Sequence, residues 1–599
     1  MSLPPAADAT TGPSESASRA SRSTARRWQW VAIVFLAVLP VLPTVRASFI
    51  YDDTTIIRDN AILRGWASLA RVWTSSYWPA EGGPDKLGLY RPLHMGLLAT
   101  IWNASHGSAL AFHLYAIALA ALSCVCVWWM LRRGVSAVPA FVAAAWFATH
   151  PLHVEAVASV ANTSELLVLL ATVAMARLVA TGAPEAAEVP SGGAQPLLIA
   201  LVAAAALLSK ESGLLALPVA GLTAWGWRAP GDGHPGFVTL ARANARAIAA
   251  GLVAIVLALI ARATVLGTPV APSSIAAQGI DGMPATQRMV AMLSLWPRLA
   301  AMLAWPHSLA PYYGPGIFPS HRSALAILSI VVTIATVGLA VAIARRGDRR
   351  PLVALSWIAL TYLPASNLLT PTGQVISDRT LFGATVGAAL AIGWLIERLP
   401  RPGRSAAIAV IAIALSRDAL VSVRYAIDWT SHRALWSRII AVEPAEHLGY
   451  KLLGMDARAR GDSARAIQLL GHALALAPSD RQARFELAQA LYSAGRYGEA
   501  SATVAPLMHD ADAQGEPALV ALYLDAVGRS EGARAVIVAA ALLAGSRSAT
   551  VAALFAGVAH ERLGELSAAE STYVAGLRTT PKDTALVARL SAVRARMVH

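Results

Sequence analysis

Nine residues of the kinds that move protons or hold anions stand in five short stretches, each at the edge of an apolar run. They are Asp52 and Asp53 in "FIYDDTTIIRDN", Arg91 in "YRPLHM" and His150 and His153 in "HPLHVEAVA". Lys210 and Glu211 follow in "LLSKESGLL", and Asp378 and Arg379 in "GQVISDRTLF". A carboxylate within hydrogen-bond reach of a hydroxyl serves as a general base. Arginine and lysine stabilise a leaving phosphate where its negative charge accumulates. Acids and cations of this kind together fit group transfer from a phosphate-linked donor. If the group is a sugar, one base and one displacement invert the anomeric centre, whereas retaining glycosidases use a nucleophile with an acid/base pair. Asp52 and Asp53 are the candidate catalytic acids, with the choice of base between them open. Arg91, His150, His153, Lys210, Glu211, Asp378 and Arg379 are the candidate donor-binding set. Simpler readings compete for some of them. His150, His153 and Glu155 raise the thought of a divalent metal, but no cysteine or second histidine cluster completes a ligand set, so no metal and no other cofactor is expected. Lys210 and Glu211 are adjacent and could neutralise one another.

The elements that must position these groups are read from composition. Of 599 residues, 56% are hydrophobic and only 14% charged, against roughly a quarter charged in a soluble protein. The mean hydropathy is +0.53, and the apolar residues fall in runs of about the length that crosses a bilayer as a helix. The net charge of +14 does not indicate nucleic acid. The basic residues gather in short connections, at Arg26 and Arg27, Arg132 and Arg133, Arg345 to Arg350 and Arg398 to Arg404, which is the pattern that orients membrane proteins. Cys124 and Cys126, two apart in one apolar run, face different ways on a helix and cannot bridge.

With the Ser/Ala/Pro-rich, basic residues 1–28 as a disordered cytoplasmic tail, eleven crossings follow. They lie at about 29–45, 109–131, 137–149, 162–180, 196–208, 213–227, 247–263, 323–344, 352–368, 380–397 and 405–423. The third is short. This threading puts every basic cluster inside and all nine candidate residues outside, the first outer loop being 46–108. Charges at membrane depth are costly and are kept for pairing or for function. In the outer loop, "AILRGWASLARVWTSSYW" sets Ile62, Trp66, Leu69, Trp73 and Tyr77 on one helical stripe, which predicts a helix lying in the membrane interface.

After residue 424 the pattern becomes periodic. Gly461, Gly495, Gly528 and Gly564 recur with an alanine five residues after each, and Pro444, Pro478 and Pro581 mark unit ends. Small residues let the two helices of a hairpin approach, and proline stops the second helix. The unit "HLGYKLLGMDARARGDSARAIQLLGHALALAPS" matches a tetratricopeptide repeat, and three to four such repeats form a solenoid with a concave groove on the outer face. The expected fold is therefore all-α. A polytopic bundle over 29–423 precedes a repeat domain over 424–599.

The five stretches in this order, with "YLPASNLLTPTGQVISDRTLF" for the last and repeats behind them, resemble the transmembrane and tetratricopeptide repeat-containing O-mannosyltransferases. That family is similar in architecture to the C-type glycosyltransferases. The resemblance covers most of residues 29–599. It implies a polyprenyl-phosphate-linked sugar donor, with mannose as the sugar, and a serine or threonine hydroxyl on a protein or peptide acceptor held by the repeat groove. It favours the second of the two aspartates as the base. Asp378-Arg379 stands where the family usually has Glu-Arg, and the repeat array is shorter than is usual there. Arginine-rich, lysine-poor composition points to a bacterial inner membrane with periplasmic repeats, or an ER membrane in a eukaryote. Two other functions fit parts of the pattern: a C-type ligase or polymerase of lipid-linked glycans, and a non-catalytic membrane-anchored repeat scaffold. A scaffold would not need the outer charges.

Overall fold

The computed structural model describes residues 28–78, 88–179, 194–228, 236–268, 277 and 279–598. The expected tail thus lies outside the described residues but for Trp28, which opens the first helix. The chain divides into two compact units, Met1–Leu435 and Trp436–His599. No strand occurs among the described residues.

Among the described residues of the first unit, seven helices are long and apolar enough to cross a membrane: Trp28–Arg46, Ala109–Gly134, Val160–Val179, Ala245–Leu266, Arg322–Arg345, Asp378–Arg398 and Arg401–Asp428. The other four expected crossings are shorter helices, Ala137–Thr149, Ala194–Ser209, Ala216–Gly226 and Arg350–Tyr362. Contacts decide how the short ones run. At one pole, Ser136 N–H donates to Glu397 at 2.7 Å and Arg350 Nη1 donates to Gly134 O at 2.7 Å. There too Trp227 Nε1 donates to Met130 O at 2.9 Å. At the other, Ala161 N–H donates to Asp53 at 2.8 Å and Arg91 donates to Glu211. The short helices Ala137–Thr149 and Ala216–Gly226 therefore run from pole to pole like the long ones. The expected boundary at 423 falls inside Arg401–Asp428, because Tyr425 and Ala426 stay buried and the helix continues through them.

Local sequence explains the breaks that carry the candidate site. Pro151 follows His150, so the helix Ala137–Thr149 stops and a short helix His153–Ala158 starts afresh. Lys210 is extended, at φ −163°, and the chain doubles back through a 3₁₀ turn, Glu211–Leu215. Gly213 makes this possible, since a Cβ there would meet the carbonyl of Ala206 at 2.3 Å. The expected single interfacial helix over 61–78 is not formed. The segment is three short turns, Ala61–Leu63, Ser68–Arg71 and Val72–Thr74, with Trp66, Leu69 and Trp73 exposed but Tyr77 buried. Gly65, at φ +73°, breaks the stripe.

The second unit is a row of helical hairpins, beginning with His447–Ala459 and Ser463–Leu476 and ending with the lone helix Thr584–Val598. Asp462 and Asp480 cap helix starts through their side chains. Gly454 and Gly557 let paired helices close, since a Cβ would meet Leu470 at 2.6 Å or Tyr573 at 2.1 Å. The turn glycines are Gly461, Gly495, Gly532 and Gly564, all with positive φ. Gly528 is not one of them. It lies inside Pro517–Ser530, because the extra turns Ala505–His509 and Ala511–Gln514 shift the third hairpin.

Candidate active site

Asp52 and Asp53 follow the buried Phe49 and Ile50 at the end of the first span. They part at once. Asp53 is fully buried and accepts from Ser159 Oγ at 3.1 Å, Val160 N–H at 2.9 Å and Ala161 N–H at 2.8 Å. Burial pushes its carboxyl up to about 7, against the pull of those two backbone donors. Asp52 is half-buried and takes no hydrogen bond among the described residues. Burial raises its pKa, while Arg379, Arg91 and Lys210 oppose that rise.

The cations around Asp52 are each held by a carboxylate from another segment. Arg379 is paired with Glu155, which also accepts from the Arg379 backbone N–H at 2.9 Å. Its other arm reaches Gln374 Oε1 at 3.2 Å. Lys210 Nζ lies 2.5 Å from Glu165, and burial lowers its pKa. Arg91 sits 2.7 Å from Glu211 and 4.7 Å above the Tyr77 ring. Glu211 also meets Arg262 at 3.3 Å. Burial opposes the charge of Glu211, but Arg91 and Arg262 outweigh it and hold the carboxyl at about 2. Lys210 and Glu211 therefore do not neutralise each other. The doubling back at Gly213 sends them to different partners.

Three candidates turn elsewhere. Asp378 is fully buried and accepts from Tyr313 Oη at 2.6 Å and Tyr425 Oη at 3.0 Å. It is Glu155, not the neighbouring Asp378, that holds the Arg379 fork. His150 Nε2 lies 3.1 Å from Leu303 O, and His153 Nε2 lies 2.9 Å from Thr385 Oγ1, with Phe147 and Phe382 against its ring. Burial lowers both imidazoles, His150 to about 4. Both line a small cavity with Val157, Phe382 and Ser422. Among the described residues no three His, Cys, Asp or Glu side chains gather as a metal-holding group.

Beside the cluster, a crevice between the spans is lined by Glu165 and Thr380 and by the apolar Leu169, Val219, Trp357 and Phe382. Asp52 thus faces carboxylate-paired cations, beside an apolar cleft at the end of the helical bundle. Comparison with known proteins finds likenesses in both parts of the chain. A tetratricopeptide-repeat family model matches residues 457–523. A protein O-mannosyl-transferase of Caenorhabditis elegans is 24% identical over 466 residues, 75% of this chain and 63% of that protein. One from the mouse is 21% identical over 480 residues, 76% of this chain and 52% of that protein. The chain is a relative of the transmembrane and tetratricopeptide repeat-containing O-mannosyltransferases. One of these from Drosophila melanogaster is 30% identical over 137 residues, 22% of this chain and 14% of that protein. The chain thus spans under two thirds of the length of these relatives.

Glu155, Glu165 and Arg262 complete the site and were not singled out as its members in the sequence. Their signal was there. Glu165 and Arg262 are lone charges in apolar runs, and such charges are kept for a partner. Ser159 and Gln374 carry no such signal, since nothing local shows what they face.

Proposed function

We propose that this relative is a membrane glycosyltransferase. It moves mannose from a polyprenyl phosphate to a serine or threonine hydroxyl of a protein, with inversion and with Asp52 as general base. The observation that carries the reading is the contrast within the acidic pair. Asp53 is saturated with donors and holds the Ser159–Ala161 turn, whereas Asp52 has no hydrogen-bond donor among the described residues and faces three cations. In the reaction, the acceptor O–H gives its proton to Asp52 as the oxygen attacks C1 from the face opposite the phosphate. The bond from C1 to the phosphate oxygen breaks, and its electron pair leaves on the polyprenyl phosphate. Arg379, Lys210 and Arg91 stabilise that growing charge in a site where water competes poorly. The polyprenyl chain runs into the apolar crevice by Trp357 and Phe382, and the repeats bind the acceptor protein.

The test is transfer of radiolabelled mannose from polyprenyl phosphate by the full-length chain in liposomes, with a Ser/Thr-rich peptide as acceptor. Wild type should label the peptide. Asp52→Asn should lose about 10²–10⁴-fold in turnover, the worth of a positioned base, with donor binding retained. Label appearing on lipid-linked glycan instead would favour a ligase, and no transfer to any acceptor would favour the scaffold.

A further inference from the structure

Tyr51, the residue before Asp52, has a left-handed backbone at φ +55°. A bulky side chain rarely adopts this region, and such strain persists only where surrounding contacts over-determine it. The contacts are on both ends of the residue. Thr54 Oγ1 donates to the Tyr51 carbonyl at 2.7 Å, fixing the turn that presents Asp52. The Tyr51 ring stands edge-on to Trp429, with centroids 6.0 Å apart. Its hydroxyl accepts from Gln374 Nε2 at 3.4 Å, and the same Gln374 accepts from Arg379 through Oε1 at 3.2 Å.

Tyr51 is thereby tied to the Asp378-Arg379 turn by two routes. The polar route runs through Gln374, whose loop is pinned by Asn367 Nδ2 donating to the Gln374 and Val375 carbonyls at 2.9 and 3.0 Å. The aromatic route runs from Trp429 to Tyr425, centroids 6.2 Å apart, and from Tyr425 Oη to Asp378. Both routes end on the residue before the candidate base and on the pair that carries the candidate phosphate ligand. We propose that Tyr51 is a positioning residue that sets the Asp52 carboxylate against the Arg379 guanidinium, with Gln374 and Trp429 among its holding contacts. The inference rests on the glycosyltransferase reading above. Asp378 then acts through the tyrosines rather than on the donor.

The experiment uses the full-length chain in liposomes, radiolabelled polyprenyl-phosphate mannose for turnover, and unlabelled polyprenyl phosphate as the binding probe. Tyr51→Gly suits the left-handed backbone and removes only the ring and hydroxyl. Its turnover should fall about a hundredfold, with affinity for polyprenyl phosphate kept within about threefold, because a misplaced base costs rate and leaves the cations as they were. Tyr51→Phe keeps the ring on Trp429 and should recover most of the loss. Trp429→Leu should reproduce part of it, and it carries the same test if Tyr51→Gly fails to accumulate. Wild-type turnover in all of these variants overturns the inference, as does a joint fall of turnover and probe affinity, which would mark Tyr51 as structural. A wild-type chain that transfers no label anywhere overturns the reading beneath it, and is told apart by the wild-type control alone.

Discussion

At the residue scale, the structure turns a set of candidate cations into carboxylate-held pairs, which changes what a mutation means. Arg379→Ala would leave Glu155, wholly buried, without its partner. Breaking one side of a buried pair costs about 3–5 kcal/mol, so the single variant would lose stability and activity together. The double variant Arg379→Ala with Glu155→Ala removes the stranded charge. It should recover most of the thermal stability in detergent and none of the transfer. Recovery of transfer would show that Arg379 serves only the fold. Asp53 is expected to differ from Asp52 in the same way. Asp53→Asn offers an amide N–H₂ where two backbone N–H groups and a hydroxyl already point, and a buried unsatisfied donor costs about 1–3 kcal/mol. Its melting temperature should therefore fall, whereas that of Asp52→Asn should not.

At the element scale, the bundle depends on close helix approach at a few glycines. A Cβ at Gly387 would meet the Ala354 carbonyl at 2.4 Å and the Ile358 nitrogen at 2.9 Å. Backbone cannot swing away, so Gly387→Ala should force Asp378–Arg398 off Arg350–Tyr362 and cost about 1–3 kcal/mol as overpacking. Gly338→Ala is the control, since nothing lies within 4 Å of that site. It should be neutral or slightly stabilising in the same unfolding measurement. In the repeats, His447 lies 2.9 Å from Glu446 and 3.2 Å from Asp480, which Lys451 also meets at 2.8 Å. Its hydrogen bonds to Asp480 and Glu446 raise it from the ordinary 6.5 to about 9. A raised histidine stabilises most where it is charged in both states, so the contribution is complete below about pH 6.5 and fades as pH rises through about 9. Hydrogen exchange over Glu446–Ala494 in the intact protein should speed up across that window. His447→Gln should abolish the pH dependence.

At the scale of the whole molecule, the two poles of the first unit are built differently. The pole opposite the candidate site is stapled by Asp348, which takes Arg350, Arg398 and Trp394 Nε1, while Arg350 also meets Glu397 at 2.8 Å. Arg350 and Arg398 belong to the arginine-rich clusters that the sequence reading places on the cytoplasmic side. The first unit ends at the other pole, where Tyr425 meets Asp378. A reporter fused after His599 should therefore be active outside the cytoplasm. Activity only in the cytoplasm would overturn both the orientation and the presentation of acceptor by the repeats.

By itself the sequence determined the classes of element. Apolar runs of bilayer length, arginine-rich connections and small residues at a repeat spacing are local patterns, and each forces its structure through solvation or packing at short range. It also marked segments of the candidate site, since an ionisable residue beside an apolar run has few reasons to persist. Pairing was beyond it. Lys210 and Glu211 are neighbours in the chain, yet they serve Glu165 and Arg91. Asp52 and Asp53 are neighbours too, and only one of them is filled with donors. The repeat glycine misassigned to Gly528 shows the same limit, because an inserted turn moved the φ-positive position to Gly532. Which way a side chain faces depends on backbone breaks such as Tyr51, Pro151 and Gly213, and on residues brought from over a hundred positions away. Those are decided when the helices pack, and no local pattern encodes them.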